Sequence, residues 1–303
     1  MTHLDTPATG KRKGKPHWLR MKLPTGPTYE HSRAIIRNDG LHTVCQEAKC
    51  PNIWKCFSRQ TATFLILGNR CTRNCRFCAI SHDVPLVLDP TEPDRIVTAA
   101  QNMKLRHVVI TSVTRDDLED GGAAVFAETI EKIRTGIPEA TIEVLIPDFQ
   151  GNRNALSMVV QSRPDILNHN VETVPRLYPS VRPAAGYNRS LHLLKRSKHL
   201  DPSLHTKSGL MLGLGETRNE LRGTLEDLIE AGCDMLTVGQ YLQPSLQHLP
   251  VDRFVHPDEF DEWKAEALSM GFLAVASGPF VRSSYKAAQL FELAKRSKNT
   301  LPA

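Results

Sequence analysis

Six of the chain's seven cysteines fall between Cys45 and Cys78, and this crowding constrains the fold more than any other feature. They form two groups of three: Cys45, Cys50 and Cys56, then Cys71, Cys75 and Cys78. The seventh stands alone in Ala231-Gly232-Cys233-Asp234 and reads as a small buried core thiol. An odd count, with no apolar leader following the basic start of the chain, argues against a disulfide framework. Reduced, clustered thiols more often bind metal, so residues 1–60 read as an extension pinned by metal rather than by apolar packing.

The 303 residues suffice for one large domain or two modest ones. No run approaches the roughly 18 apolar residues that span a bilayer, so the expectation is a soluble, cytoplasmic protein with no membrane partner. The first residues are basic (Lys11, Arg12, Lys13, Lys15 and Arg20 against Asp5), which reads as a solvated arm, with a transit peptide as the alternative. A formal net charge of +5 suits steering toward an acidic partner and is too small to imply nucleic acid.

From residue 62 the pattern changes. Apolar runs at 63–67, 107–111, 142–146, 164–167, 209–214 and 235–238 predict buried strands. Between them, helical periodicity predicts helices near 93–103, 122–135, 152–161, 188–199 and 217–231. Strand–helix alternation implies a parallel sheet with right-handed crossovers. About six such units predict an α/β fold, an open, partial (β/α)6 TIM-like barrel, with its site at the C-terminal strand ends. The expected organisation is an N-terminal extension over 1–60, the barrel over 61–276 and a C-terminal extension over 277–303. The last stretch carries a helix at 257–270, an apolar run at 272–276 and a final helix near 286–296.

The turn after the first strand reads Cys71-Thr72-Arg73-Asn74-Cys75-Arg76-Phe77-Cys78, a C-x3-C-x2-C spacing. Three thiolates can hold one face of a 4Fe–4S cubane and leave its fourth iron open for another ligand. Structural zinc prefers four closed ligands, and His82 would be the candidate fourth. The interleaved Arg70, Arg73 and Arg76 would offset anionic sulfur. C-x3-C with an aromatic, Phe77, before the third cysteine resembles the radical S-adenosylmethionine (SAM) enzymes. That resemblance implies SAM chelated to the open iron through its methionyl group. Its reductive cleavage would yield a 5′-deoxyadenosyl radical able to attack an unactivated C–H bond.

Upstream, Cys45-Gln46-Glu47-Ala48-Lys49-Cys50-Pro51-Asn52-Ile53-Trp54-Lys55-Cys56 gives C-x4-C-x5-C. With Leu41-His42-Thr43-Val44 before it, and Arg282-Ser283-Ser284-Tyr285 near the C-terminus, this resembles the lipoyl synthase family of radical SAM enzymes. Lys15 to Arg20 and Leu23-Pro24-Thr25-Gly26 look like the same family's N-terminal approach. The resemblance implies a second, auxiliary 4Fe–4S cluster on Cys45, Cys50 and Cys56, with Ser283 on its fourth iron. An alkoxide is a harder, less favoured ligand for cluster iron than a thiolate and can let go when the cluster is opened. The chain departs from the family at Lys55, where an acidic residue is expected, and at Asn69, where Asp is usual.

Further residues are expected around the cofactor. Asp120, Gly121 and Gly122 sit where the family has a loop meeting the methionyl amine, although the family's Glu is missing and Asp120 also reads as a helix N-cap. Asn170 and Glu172 are candidates for the ribose hydroxyls and the methionyl group. Gly213, Gly215 and Glu216 would admit the adenosine, and Tyr241 and Leu242 would pack on adenine. Lys195 and Arg196 are candidates for the methionyl carboxylate or else lie on a solvated helix face.

The resemblance implies a sulfurtransferase that inserts sulfur at carbons 6 and 8 of an octanoyl group on a lysine of a lipoyl carrier domain, with the auxiliary cluster as donor. Carriers would be the acyltransferase subunits of 2-oxoacid dehydrogenases and the glycine cleavage H protein. A flavodoxin- or ferredoxin-type reductant and an iron–sulfur carrier for cluster repair are also implied. Two alternatives stand at this point: a radical SAM enzyme whose second cluster is not consumed, and a non-catalytic zinc module.

Overall fold

The computed structural model describes residues 14–20, 26–59 and 61–300. Lys11, Arg12 and Lys13 of the basic arm, and Leu23-Pro24-Thr25, lie outside the described residues. In chain order the N-terminal part gives Pro27–Asn38 (α1), His42–Thr43 (β1), Val44–Glu47 (α2) and Ile53–Phe57 (α3). The alternating part gives Thr63–Ile66 (β2), Glu92–Asn102 (α4), His107–Ser112 (β3), Ala123–Gly136 (α5), Thr141–Leu145 (β4), Arg153–Gln161 (α6) and Ile166–Asn168 (β5). It continues through Tyr178–Val181 (α7), Tyr187–Leu200 (α8), His205–Leu212 (β6), Arg218–Glu230 (α9) and Met235–Gln240 (β7). Pro257–Met270 (α10), Ala274–Gly278 (β8) and Ala287–Thr300 (α11) complete it. No helix of the described residues is long and apolar enough to cross a membrane.

The eight strands lie in one sheet in sequence order. β2 through β8 are parallel, and β1 pairs antiparallel with β2 through His42↔Leu65 and Thr43↔Phe64. The six predicted strands are β2 to β7. The run after α10 adds β8 as a further parallel strand, and β8 continues across residue 276 to Gly278. β6 begins at His205, earlier than its apolar run, because Thr206, Lys207 and Ser208 are buried polar residues.

The N-terminal segment corrects one expectation. It is held by apolar packing: Tyr29, Ile36, Leu41 and Phe57 are buried in the same core as β2 and β3. Tyr29 stacks on Trp54 at 4.5 Å between ring centroids. The segment's helices are short, and proline and cysteine interrupt the apolar spacing, so periodicity understates its packing.

At the other end of the barrel, α11 packs Leu290, Phe291 and Ala294 against Ile166, Met235 and Ala274, residues at or near the N-terminal ends of β5, β7 and β8. Above this floor lies a buried ionic group. Lys207 Nζ donates to Glu143 Oε1 at 2.7 Å, and the His107 ring nitrogen meets Glu143 Oε2 at 3.2 Å. Burial opposes the charged form of Glu143, but Lys207 and His107 outweigh it and hold the carboxyl down from 4.5 to about 2. This contribution to stability is complete above the unfolded carboxyl's pKa and is lost as pH falls from there toward about 2. Lys207→Met should therefore cost about 3–5 kcal/mol in chemical denaturation at neutral pH, and the Lys207→Met/Glu143→Gln pair should cost less than the single change.

Candidate active site

The first thiol triad is built by the loop that leaves β2. Cys71 N–H donates to the Ser81 carbonyl at 2.8 Å and Thr72 N–H to the Thr114 carbonyl at 3.0 Å, tying the loop to itself and to the end of β3. The Thr114 and Arg73 amides point at Cys71 Sγ from 3.3 and 3.4 Å. Such N–H···S contacts stabilise anionic sulfur. Arg76 N–H donates to the Val181 carbonyl, and His248 meets the Cys78 carbonyl at 2.9 Å, so the loops after β5 and β7 clamp the same turn. Phe77 packs beside Val174, Leu177 and Val181.

The second triad is held by short helices. Thr43 caps α2, which carries Cys45, through its hydroxyl and the Gln46 amide. Cys50 N–H donates to the Cys45 carbonyl at 3.0 Å, and Cys56 N–H to the Asn52 carbonyl at 2.9 Å. Cys45 and Cys50 share with Cys71, Cys75 and Cys78 the lining of one cavity of about 500 Å3. Cys56 is outside that lining but close enough for charge on Cys45 and Cys56 to interact.

Burial pushes the Cys45 and Cys78 thiols up to about 12 and Cys56 up to about 11, and it raises Cys50 and Cys75 as well. Thiolates here need a counter-charge that the protein supplies only partly, and binding iron would displace these protons. The donor set therefore fits a 4Fe–4S group at each triad. Among the described residues, no three His, Cys, Asp or Glu side chains close on a single metal ion. A cubane instead takes one thiolate on each of three irons.

Ser283 reaches the same cavity from the C-terminal segment, where its hydroxyl accepts from Asn170 Nδ2 at 2.6 Å. Asn170 Nδ2 also donates to Glu172 Oε1 at 3.0 Å, while Asn170 Oδ1 is buried without a partner. Gly209 makes room for that amide, since a Cβ there would sit 2.7 Å from Asn170 Oδ1. Glu172 holds a left-handed backbone at φ 66°, a strained conformation of the kind that clusters at ligand sites. Burial pushes its carboxyl up, against the pull of nearby Arg182. Tyr241 and Leu242 line the cavity from the end of β7, and Tyr241 OH donates to the Leu249 carbonyl at 2.7 Å.

Several expected cofactor residues lie elsewhere. The Asp120 carboxylate accepts from the Gly122 and Ala124 amides, both at 2.8 Å, and so caps α5. A Cβ on Gly121 would meet Phe149 at 2.9 Å and one on Gly122 would meet Leu67 at 2.3 Å, so both glycines serve packing. Glu216 folds back onto the amides of Gly213 and Leu214, at 2.7 and 2.9 Å. Gly213 admits Gln240 and the Arg253 carbonyl, and Gly215 abuts Asp252; none of the three residues 213, 215 and 216 lines the cavity. Lys195 is exposed on α8 and faces Glu230 at 3.8 Å, and Arg196 also stays out of the cavity. Arg73 is not free to offset sulfur either: it is paired with Asp116 at 2.6 Å and Asp148 at 2.6 Å.

One cation that lines the cavity, Arg182, was missed in the sequence. Arg182 donates to the Asn170 carbonyl at 2.8 Å and leaves a buried Nε without a partner. Nothing in Val181-Arg182-Pro183 marks it; the bonds of Arg76 to the Val181 and Ser180 carbonyls bring it to the first triad, where its charge acts on Cys75.

A family model for the radical SAM superfamily matches residues 65–228, and one for the N-terminal domain of lipoyl synthase of the radical SAM family matches residues 5–50. The lipoyl synthase of Desulfotalea psychrophila is 56% identical over 287 residues, covering 95% of this chain and 96% of that protein. The lipoyl synthase of Alkaliphilus metalliredigens is 53% identical over 287 residues, covering 95% and 99%. The chain belongs to the lipoyl synthase family. Its fold is also found in Streptococcus suis SuiB bound to S-adenosylmethionine, with a TM-score of 0.56 at 11% identity over 74% of this chain and 52% of that one. HydG, a maturase of the [FeFe]-hydrogenase, gives a TM-score of 0.55 at 15% identity over 82% and 63%. At such identities these two show the fold alone. Radical SAM membership brings a 4Fe–4S cluster and SAM with it.

The segment bearing Ser283 depends on close approach at β7, where a Cβ on Gly239 would fall 2.1 Å from the Val281 carbonyl oxygen. Gly239→Ala should lower the unfolding free energy by about 1–3 kcal/mol, as overpacking does. Gly223→Ala, with nothing within 4 Å of its Cβ, should be neutral or stabilising in the same melt.

Proposed function

We infer that this chain converts an octanoyl group, amide-linked to a lysine of a lipoyl carrier domain, into the lipoyl group by inserting sulfur at carbons 6 and 8. One observation supports the reading: Cys71, Cys75 and Cys78, two thiols of the second triad (Cys45 and Cys50) and Ser283 line a single cavity, with Asn170 donating to the Ser283 hydroxyl. A site for radical generation and a site for sulfur storage must share one water-poor space, because a carbon radical has to meet its sulfur before it meets anything else.

When bound, the two cubanes and SAM supply an electron, a hydrogen-abstracting radical and sulfide. The chain's own residues bind and orient. Cys71, Cys75 and Cys78 would hold the first cluster through three thiolates. Arg182, with its spare Nε–H, suits the methionyl carboxylate, and Asn170 Oδ1 and Glu172 suit the methionyl amine and ribose hydroxyls. Tyr241 offers an apolar face to adenine, with Leu242 beside it. Cys45, Cys50 and Cys56 would hold the second cluster, with the Ser283 oxygen as a weaker fourth ligand than a thiolate. Acyltransferase subunits of 2-oxoacid dehydrogenases and the glycine cleavage H protein fit as carriers. A flavodoxin- or ferredoxin-type reductant and an iron–sulfur carrier complete the cycle.

Cys71→Ala, Cys75→Ala or Cys78→Ala should bring SAM cleavage to background, read as 5′-deoxyadenosine by mass. Cys45→Ala, Cys50→Ala or Cys56→Ala should retain cleavage yet form no lipoyl product on an octanoyl-lysine peptide. Lipoyl product from the second set would show that these cysteines do not hold the sulfur donor.

A further inference from the structure

Lys55 stands directly before Cys56 at a position where the family resemblance leads one to expect an acidic residue. Its ammonium donates to the hydroxyl of Tyr285 at 2.9 Å, a contact spanning 230 residues of chain. It also lies 5.5 Å from the centre of the Tyr285 ring, with Lys286 at 5.7 Å from the same ring. Tyr285 N–H in turn donates to the Arg282 carbonyl at 2.9 Å, closing a turn that contains Ser283. Lys286, next in the chain, has a left-handed backbone at φ 54°, so the turn is tight on both sides.

We propose that Lys55 is a positioning residue that ties helix α3, and with it Cys56, to the Arg282–Tyr285 turn and so keeps Ser283 facing the second thiol triad. The inference rests on the reading of Ser283 as a ligand at that triad. The tether joins both parts of the ligand set: one end is the neighbour of a thiol ligand, the other is two residues from the hydroxyl ligand. Lys55 is only partly buried, and the segment keeps two further anchors: Asn52 Nδ2 to the Phe280 carbonyl at 2.6 Å and Thr63 to Ser284 at 2.8 Å. Loss of Lys55 therefore leaves the chain folded and frees the turn alone. Lysine also donates where an acidic side chain would accept, which leaves the Tyr285 hydroxyl proton available to a third group.

Two readouts test this. In the metal-free chain, Lys55→Met should speed amide hydrogen exchange over residues 282–286 by about fivefold, the size of one ordinary lost hydrogen bond, with the barrel strands unchanged. Lys55→Arg should restore the wild-type rate, and Lys55→Met/Tyr285→Phe should be no faster than either single change. In the anaerobically reconstituted Cys71→Ala/Cys75→Ala/Cys78→Ala chain, where only the second site is followed, Lys55→Met should speed loss of iron to a chelator in the same direction as Ser283→Ala. Unchanged exchange, or unchanged iron loss beside a fast Ser283→Ala, overturns the tether. Unchanged iron loss in Ser283→Ala itself overturns the ligand reading, and with it the purpose assigned to the tether.

Discussion

An open parallel sheet leaves two edges, and the short segment after β8 crosses between them. Its contacts run from Val281 against Gly239 on β7, through Ser283 on Asn170, to Ser284 on Thr63 at the start of β2. Asn52 and Lys55 grip it from the N-terminal helices at Phe280 and Tyr285. One strap of residues 279–285 thus joins the first strands, the last strands and the segment that carries Cys45, Cys50 and Cys56. These few hydrogen bonds hold in place the strap whose residues Val281 to Ser284 line the cavity.

The strap borders a site short of positive charge. Burial raises five of the thiols, while Arg73 is spent on Asp116 and Asp148. Besides Lys15 and Lys49, the other cations that line the cavity are Arg182 and Arg282, whose guanidiniums donate to backbone carbonyls. Burial lowers the pKa of Arg282, with Cys50 and Glu172 opposing. Thiols that resist ionisation beside these guanidiniums make a site that is costly without iron and favourable with it.

Much of this was legible in the sequence. The α/β alternation placed β2 to β7 and helices α4 to α6, α8 and α9, because parallel strands buried on both faces read as continuous apolar runs. The cysteine spacing singled out both triads, since ligand spacing is local and survives without tertiary knowledge. What escaped is what tertiary contact alone creates. α1 hides because a few buried side chains suffice to dock it. β6 begins early because Lys207 is buried only by virtue of Glu143 on another strand. Asp120, Gly213 and Glu216 drew attention as chemistry-bearing residues, yet each satisfies its own loop. Arg182 drew none, since its role depends on the loop after β5 folding against the Cys75–Cys78 turn.

The central claim is that the second triad holds a cluster whose own sulfide becomes product. Reconstituting the chain anaerobically with heavy-isotope sulfide, removing the excess, and allowing one turnover on an octanoyl-lysine peptide tests it most directly. The account predicts that both sulfur atoms of the lipoyl product carry the heavy isotope, with no label lost to unlabelled sulfide in the buffer. Product bearing light sulfur from the buffer would contradict it.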